Sequence, residues 1–435
     1  MSSVSRGIDR IEVTFDEPNL VANAGLLLVA TLVGRLRLEA LINDMVDLSG
    51  RVGGALPGRK VLTLVHAMVA GGSHIDHADV LRSGATQAVL PHRVMAPSTL
   101  GTFLRSFSFG HVRQLDRVFA EALRRAWSLG AGPGSDRVVV DLDSTICEVC
   151  GKAKHGAGFG YTKKLGYHPL LAVRAATGEL LHVRMRKGAA NTQRGTKRFV
   201  EELVARLRRA GATGELVMRF DSGFWSNTTI ATLSRLGVGY TMGVRMVKSV
   251  VTVVSAIDEE AWTPIDYTCD GIAEVAECVY KGRRLIVRRT RLVGRQATLW
   301  PEWRHFAFLT DQKGTAVEVD AFHRAHATVE LAIKDLKEGA GMEHVPSGNF
   351  SANAAWLVCA ALAHDLIRWS AMLGELTPED HLVVARTVRT RFLSIPGRLV
   401  HPGGRPVLRA PLEWPWADAF SRALDRLRAL PPVPV

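Results

Sequence analysis

Three acidic positions sit where strand and helix patterns present side chains for chemistry. Asp143 closes a segment that begins with the apolar run Val138–Val140 and also carries Asp141. Strand side chains alternate between faces, so Asp141 and Asp143 point the same way. Asp221 ends a second apolar run, Leu216–Phe220, and is followed by Ser222, Gly223 and Phe224. Glu330 lies in the helical pattern Val319–Lys337, on one face with Lys334 and Lys337. Val329, Ile333 and Leu336 form the adjacent face, suited to pack on a sheet. Two Asp and one Glu brought together make a hard oxygen site for Mg²⁺. Two such ions about 4 Å apart activate a water and steady the leaving oxygen in phosphodiester cleavage. Spacing alone also permits a plainer reading, in which the Asp residues cap helices and Glu330–Lys334 is a surface pair.

The elements that must position these groups follow from periodicity. Residues 18–130 read as helical, with apolar residues at helical spacing in Leu26–Leu41, Lys60–Ala70 and Val112–Trp127, and a helix start at Pro97. Residues 130–135 are rich in Gly and form the clearest linker. Beyond it the texture alternates. Strands are predicted at Val138–Val140 and onward, Tyr167–Arg174, Leu180–Arg186, Leu216–Phe220 and Val238–Val244, with helices at Thr196–Ala210 and Asn227–Leu236. That alternation indicates a mixed α/β sheet, and ligands of such sheets gather beyond the carboxyl ends of strands, where these acids lie. Residues 262–310 switch to strands only: Glu274–Tyr280, Arg284–Arg291 and Arg304–Thr310. Helices return at Val319–Lys337, Ala352–Ser370 and Trp416–Leu430.

Composition narrows the partner. Lys+Arg 55 against Asp+Glu 42 leaves +13, which points to a polyanion, most simply nucleic acid. A hydrophobic fraction of 47% with 22% charged residues argues against a disordered, collagen-like or disulfide-scaffold chain. The most apolar stretches, Leu20–Gly34 with Asn23 inside it and Ala354–Ala363 stopped by His364, are shorter than the roughly 18 residues of a spanning helix. No membrane partner is expected. Asp9, Glu12, Asp16 and Glu17, without an apolar run, argue against a secretory signal. Five cysteines are too few and too irregular for a disulfide framework, so a reducing, cytoplasmic compartment is expected.

Several motifs together resemble a known family. They are VVDLDST at 139–145, GYTKKLGYHP at 160–169, RFDSGFW at 219–225 and HRAHATVELAIKDLK at 323–337, with NAAW at 353–356, Ala363-His364 and PGRLV at 396–400. The chain resembles the DDE transposases of bacterial insertion sequences, and more narrowly insertion-sequence family thirteen-eighty within the insertion-sequence-four-like group. The resemblance runs from about residue 10 to the end. It implies an α/β, ribonuclease H-like catalytic core with Asp143, Asp221 and Glu330 as the triad, Asp141 being an alternative first carboxylate and metal ligand. It implies two Mg²⁺ ions, with Mn²⁺ able to substitute. The broader group has a Tyr, an Arg, the catalytic Glu and a Lys on its last core helix. Here those positions hold His323, His326, Glu330 and Lys337, and Arg324 is the neighbouring candidate for a phosphate contact.

The implied domains are a helical DNA-binding domain at 1–130, the first part of the core at 131–245, an inserted β-strand domain at 246–314, the last core helices at 315–375 and a C-terminal region at 376–435. The N-terminal helices would hold the terminal inverted repeats of double-stranded DNA, and strand exchange at two ends implies a homodimer near the bacterial nucleoid. Two rival functions remain: a non-catalytic DNA-binding protein derived from such an enzyme, and a stand-alone metal nuclease.

Candidate DNA contacts are Lys163, Lys164, Lys334 and Lys337, together with the run Lys281, Arg283, Arg284, Arg288, Arg289, Arg291 and Arg295, which no acid interrupts. Trp300 and Trp303 read either as core of the insertion or as a platform for an unstacked base. His323, His326 and Glu330 at one helical face could imitate a zinc site, but no fourth ligand is evident. Cys147 and Cys150 form a single CxxC and read as partly buried thiols, His74 and His77 as helix-surface residues. Gly156, Gly158 and Gly160 open no helix and match a nucleotide loop weakly.

Overall fold

Apolar, β-branched runs build the centre of the molecule. The computed structural model describes residues 8, 11–151, 153–160, 162–268, 271–293, 303–378 and 381–434. Nine strands form one sheet: β1 (Val138–Ser144), β2 (Leu170–Arg174), β3 (Leu180–Arg184), β4 (Leu216–Phe220), β5 (Gly239–Val244), β6 (Thr263–Ile265), β7 (Gly271–Tyr280), β8 (Arg283–Leu292) and β9 (Arg304–Thr310). Their order is β6-β7-β8-β9-β5-β4-β1-β2-β3. β4 runs parallel to both β1 and β5, and the other pairs are antiparallel. Every residue of β4 is buried, as a parallel strand covered on both faces requires.

Two departures from the sequence pattern have local causes. The strand predicted at Tyr167–Arg174 is two strands. Leu165–Tyr167 joins Cys147–Glu148 and Gly158–Phe159 in a small separate sheet, and β2 starts at Leu170. Pro169 has no N–H to donate to a ladder, and the ring of His168 is tied instead to the Ala190 carbonyl and the Ser144 hydroxyl. Second, the strands predicted as an inserted domain have no sheet of their own. β9 pairs with β5, so β6–β9 continue the sheet that carries the acids.

The helices are α1 (Leu26–Arg35), α2 (Leu38–Met45), α3 (Pro57–Val69), α4 (Pro97–Arg105), α5 (Phe109–Ala126), α6 (Thr196–Ala210), α7 (Asn227–Arg235), α8 (Lys248–Val254), α9 (Ala316–Arg324), α10 (Val329–Gly339), α11 (Phe350–Leu373) and α12 (Ala417–Ala429), besides shorter turns. α6 buries Phe199, Leu203 and Leu207, the stripe seen in its sequence. α11 is 24 residues long and apolar enough by length to cross a membrane, yet it lies almost wholly buried within the protein. Asn349 caps it by accepting from the N–H groups of Ser351 and Ala352. It packs on α3, α4 and α5 on one side and β3 on another. One apolar core therefore runs from α1 through α11 to β1, β4 and α12. The predicted boundaries at 130, 245, 314 and 375 mark changes of texture along the chain, and this core spans them.

Candidate active site

The parallel pairing of β1 with β4 sets two carboxylates side by side. Asp141 is opposite Arg219 and Leu142 opposite Phe220, so Asp143 and Asp221 emerge next to one another at the strand ends. Asp141 is buried and fully engaged. Its Oδ1 accepts from Arg219 Nε at 2.6 Å, its Oδ2 from Arg219 Nη2 at 2.8 Å, and its Oδ1 also from His326 Nδ1 at 2.8 Å. A bidentate Arg–carboxylate pair of this kind is rigid, and its burial demands both partners. Asp141 is thus the anchor beneath the site, and Asp143 is the carboxylate left at its mouth.

The same row of side chains fixes the helices that lead to Glu330. Arg219 Nη1 donates to the Phe322 carbonyl at 2.7 Å. One strand further, Thr241 meets His323 Nδ1 at 2.7 Å, and the His323 ring stacks on Phe308 with centroids 4.1 Å apart. Burial first, then the charges of His326, Arg219 and Arg288, push the His323 imidazole down to about 3, so it is neutral at pH 7. The helix predicted at Val319–Lys337 is accordingly broken. A 3₁₀ turn at Ala325–Thr328 separates α9 from α10, where His323 and His326 are pulled onto the sheet. Their ring nitrogens meet Thr241 and Asp141, and among the described residues they form no metal-binding group with Glu330.

Asp143, Asp221 and Glu330 come together above this row. The Asp143 carboxyl is pushed up to about 6, chiefly by burial. The charges of Asp221 and Glu330 add to that rise, while the Ser144 N–H and His326 oppose it. Asp143 Oδ1 accepts from the Ser144 N–H at 2.6 Å, and Asp221 Oδ1 from the Ser222 N–H at 2.6 Å. Asp143, Glu330, Lys334, Lys337 and Glu343 line one cleft of about 280 Å³. Lys337 Nζ also donates to the Ile146 carbonyl at 3.1 Å. Gly243 permits the Asp221 turn to lie against β5, because a Cβ there would be 2.7 Å from the Ser222 nitrogen. Among the described residues no cation forms an ion pair with Asp143, Asp221 or Glu330.

A family model described as transposase DDE domain, group 1, matches residues 5–432. The chain belongs to the DDE transposases. Among solved structures, it is similar to a piggyBac transposase synaptic complex with hairpin DNA determined by cryo-EM, at 12% identity and a TM-score of 0.47, covering 85% of this chain and 78% of that one. No curated protein matches it.

The transposase places its basic candidates differently from the sequence expectation. Arg284 pairs with Glu277 and also donates to the Gln312 and Gly314 carbonyls, at 2.8 Å each. Arg288 and Arg324 both pair with buried Asp320, at 3.4 and 2.8 Å. Arg289 binds Glu259 at 2.7 Å and Glu274 at 2.6 Å, with its guanidinium 4.2 Å from the Trp262 ring and 4.4 Å from that of Trp303. Arg291 covers Trp303 as well, at 4.8 Å. The run without acids in sequence is therefore supplied with acids in space, and Trp303 stacks on arginine rather than offering an open platform. Arg295 and Trp300 lie outside the described residues. Arg283 contacts Asn227 at 3.4 Å and, among the described residues, has no acid at ion-pair distance. Lys163 is exposed in the left-handed region, φ 57°, and exposed Lys164 pairs with Glu148.

Other motifs resolve plainly. Cys147 is buried, its thiol pushed up to about 12 by burial, and Cys150 is exposed. The His74 ring lies tilted against that of His344, with centroids 3.9 Å apart. A group of buried Asp116 and His182 with half-buried Glu202 has the composition of a metal site but belongs to α5, β3 and α6. Arg206 pairs with Asp116 at 2.7 Å and Arg198 with Glu202 at 2.9 Å, and Arg113 reaches both acids, so its charge is already balanced by protein. Sequence reasoning missed Arg219 as a site residue. A signal for it exists: Arg219 stands two positions before Asp221 as Asp141 stands two before Asp143, so parallel strands bring the two charges face to face.

Proposed function

We propose that this chain is the transposase of a bacterial insertion sequence, cutting double-stranded DNA at terminal inverted repeats and joining the freed 3′-OH to a second strand. The observation that supports this best is the set Asp143, Asp221 and Glu330: three carboxylates delivered by three separate elements to one mouth, with no ion-paired cation among the described residues. That donor set fits two Mg²⁺, or Mn²⁺ in their place, and those ions when bound activate the attacking oxygen and steady the leaving one. Asp143 would be the first ligand and Asp221 and Glu330 the others. The Ser144 and Ser222 N–H groups each hold Oδ1 of the preceding carboxylate, so Oδ2 would be the oxygen offered to a metal. Lys334, on the cleft wall, would meet a phosphate oxygen.

In this reading the β1–β5 region is the ribonuclease H-like core, the N-terminal helices hold the repeats, and two copies act in the synaptic complex. Asp221→Asn is the test. It removes a ligand but no DNA contact, so cleavage should vanish while DNA binding in Ca²⁺ persists. Full cleavage by Asp221→Asn would overturn the mechanism. Strand-transfer products from a donor bearing the DNA that borders the gene would separate a transposase from a stand-alone nuclease.

A further inference from the structure

The basic hairpin β7–β8 is largely neutralised, yet a group of cations beside Asp221 is not. A cavity of about 420 Å³ opens next to the Ser222 turn, lined by Gln193, Ser222, Trp225, Asn227, Arg245 and Lys281 among others, none of them acidic. It adjoins the triad directly, because the Ser222 N–H donates to Asp221 Oδ1 at 2.6 Å. Arg245, Lys248 and Lys281 are exposed, and among the described residues none has an acid at ion-pair distance. Arg283 reaches the same rim through Asn227 at 3.4 Å. The backbone aims Lys281 there. Lys281 and Gly282 close the β7–β8 hairpin with φ 50° and 72°, a two-residue turn of the type that needs positive φ at both positions.

We propose that this cavity is a single-strand site, holding the phosphodiester backbone of the DNA strand that passes Asp221 on its way to or from the triad. The inference rests on the transposase reading and adds the residues that hold the strand. Size selects a single strand: a cavity of this volume is roughly 9 Å across, and a duplex is wider than its own major groove of about 12 Å, so a duplex cannot enter it. Charge selects the backbone. Arg245 and Lys281 offer unneutralised donors to phosphate, which every sequence carries, and the amides of Gln193 and Asn227 stand beside them.

The test uses the full chain and a twelve-residue oligothymidylate carrying one 4-thiothymidine, with Ca²⁺ present. Photocrosslinks should map to residues 222–227, 245–248 or 280–283. Crosslinks confined to other segments would overturn the site. In fluorescence anisotropy over a KCl series, the double variant Arg245→Ala with Lys281→Asn should have a slope of log K against log salt shallower by about 1.4, from about 0.7 per lost single-strand phosphate contact. Asn tolerates positive φ, so Lys281→Asn keeps the hairpin. Arg405→Ala with Arg409→Ala, removing two exposed cations elsewhere, should leave the slope unchanged. Equal slopes in wild type and the first variant, or an equal change in both variants, would overturn the proposal. A wild-type protein that shows the expected crosslinks and slope but nicks no plasmid with Mg²⁺ or Mn²⁺ would overturn the catalytic reading and leave the strand site standing.

Discussion

The acidic strand ends and the basic hairpin are two regions of one sheet with opposite treatment of charge. On β8, Arg284, Arg288 and Arg289 are matched by Glu277, Asp320, Glu274 and Glu259. At the ends of β1 and β4, Asp143 and Asp221 lie together with Glu330, and among the described residues no cation pairs with them. Charge that a fold has balanced is part of its structure. Charge that it concentrates unbalanced raises the free energy of the protein alone, and a ligand of opposite sign relieves it. The contrast exists even within β1, where Asp141 is balanced and Asp143, two residues on, is not.

The sharpest way to break this comparison is Asp141→Ala. It strands Arg219 in the interior, and removing one partner of a buried pair costs about 3–5 kcal/mol. A large fall in urea midpoint is expected, against little change for Asp143→Ala, and equal effects would erase the distinction. Glu330→Gln should lower metal-dependent cleavage on the order of 10²–10³-fold, since several kcal/mol of charge stabilisation goes with the metal. Its thermal midpoint in EDTA should hold steady or rise, because like-charge repulsion falls.

The pH dependence sharpens the same point. The folded Asp143 carboxyl titrates near 6, above its unfolded 3.8, so the folded protein binds that proton more tightly. The metal-free protein should therefore lose this stability as pH rises through 6 and regain it as pH falls. Mg²⁺ must displace the proton, so its stabilising shift in thermal midpoint should be full above pH 7 and fade below 6. A Mg²⁺ shift that is flat from pH 5 to 8 would show that Asp143 is no ligand.

Smaller effects belong to the balanced region. Arg289→Ala removes the layer between Trp262 and Trp303 and unpairs half-buried Glu274, for about 2 kcal/mol of stability. It should leave the salt dependence of DNA binding unchanged, and a shallower slope would return this arginine to the DNA. Lys164→Ala breaks only an exposed pair and should change stability by less than about 1 kcal/mol.

Much of this was legible along the chain. Apolar runs located β4, β9 and α6 to the residue, and the acids at strand ends marked the mouth of the site, because the period of a strand or helix and the residue that ends it are local properties. The family motifs contain the three carboxylates that the fold brings near one another. What sequence left open was which aspartate of VVDLDST is held by protein partners, and which cations of 281–291 are paired. Both answers depend on partners far away in the chain: Arg219 lies 78 residues from Asp141 and His326 lies 185 from it, while Asp320 lies 32 from Arg288. Strand register, helix docking and sheet order bring such partners within 3.5 Å or leave them apart, and Coulomb attraction and desolvation follow from that placement. The residue types and their local elements were therefore set by sequence, and only the tertiary structure decided which charges are spent on folding and which stay open to a ligand.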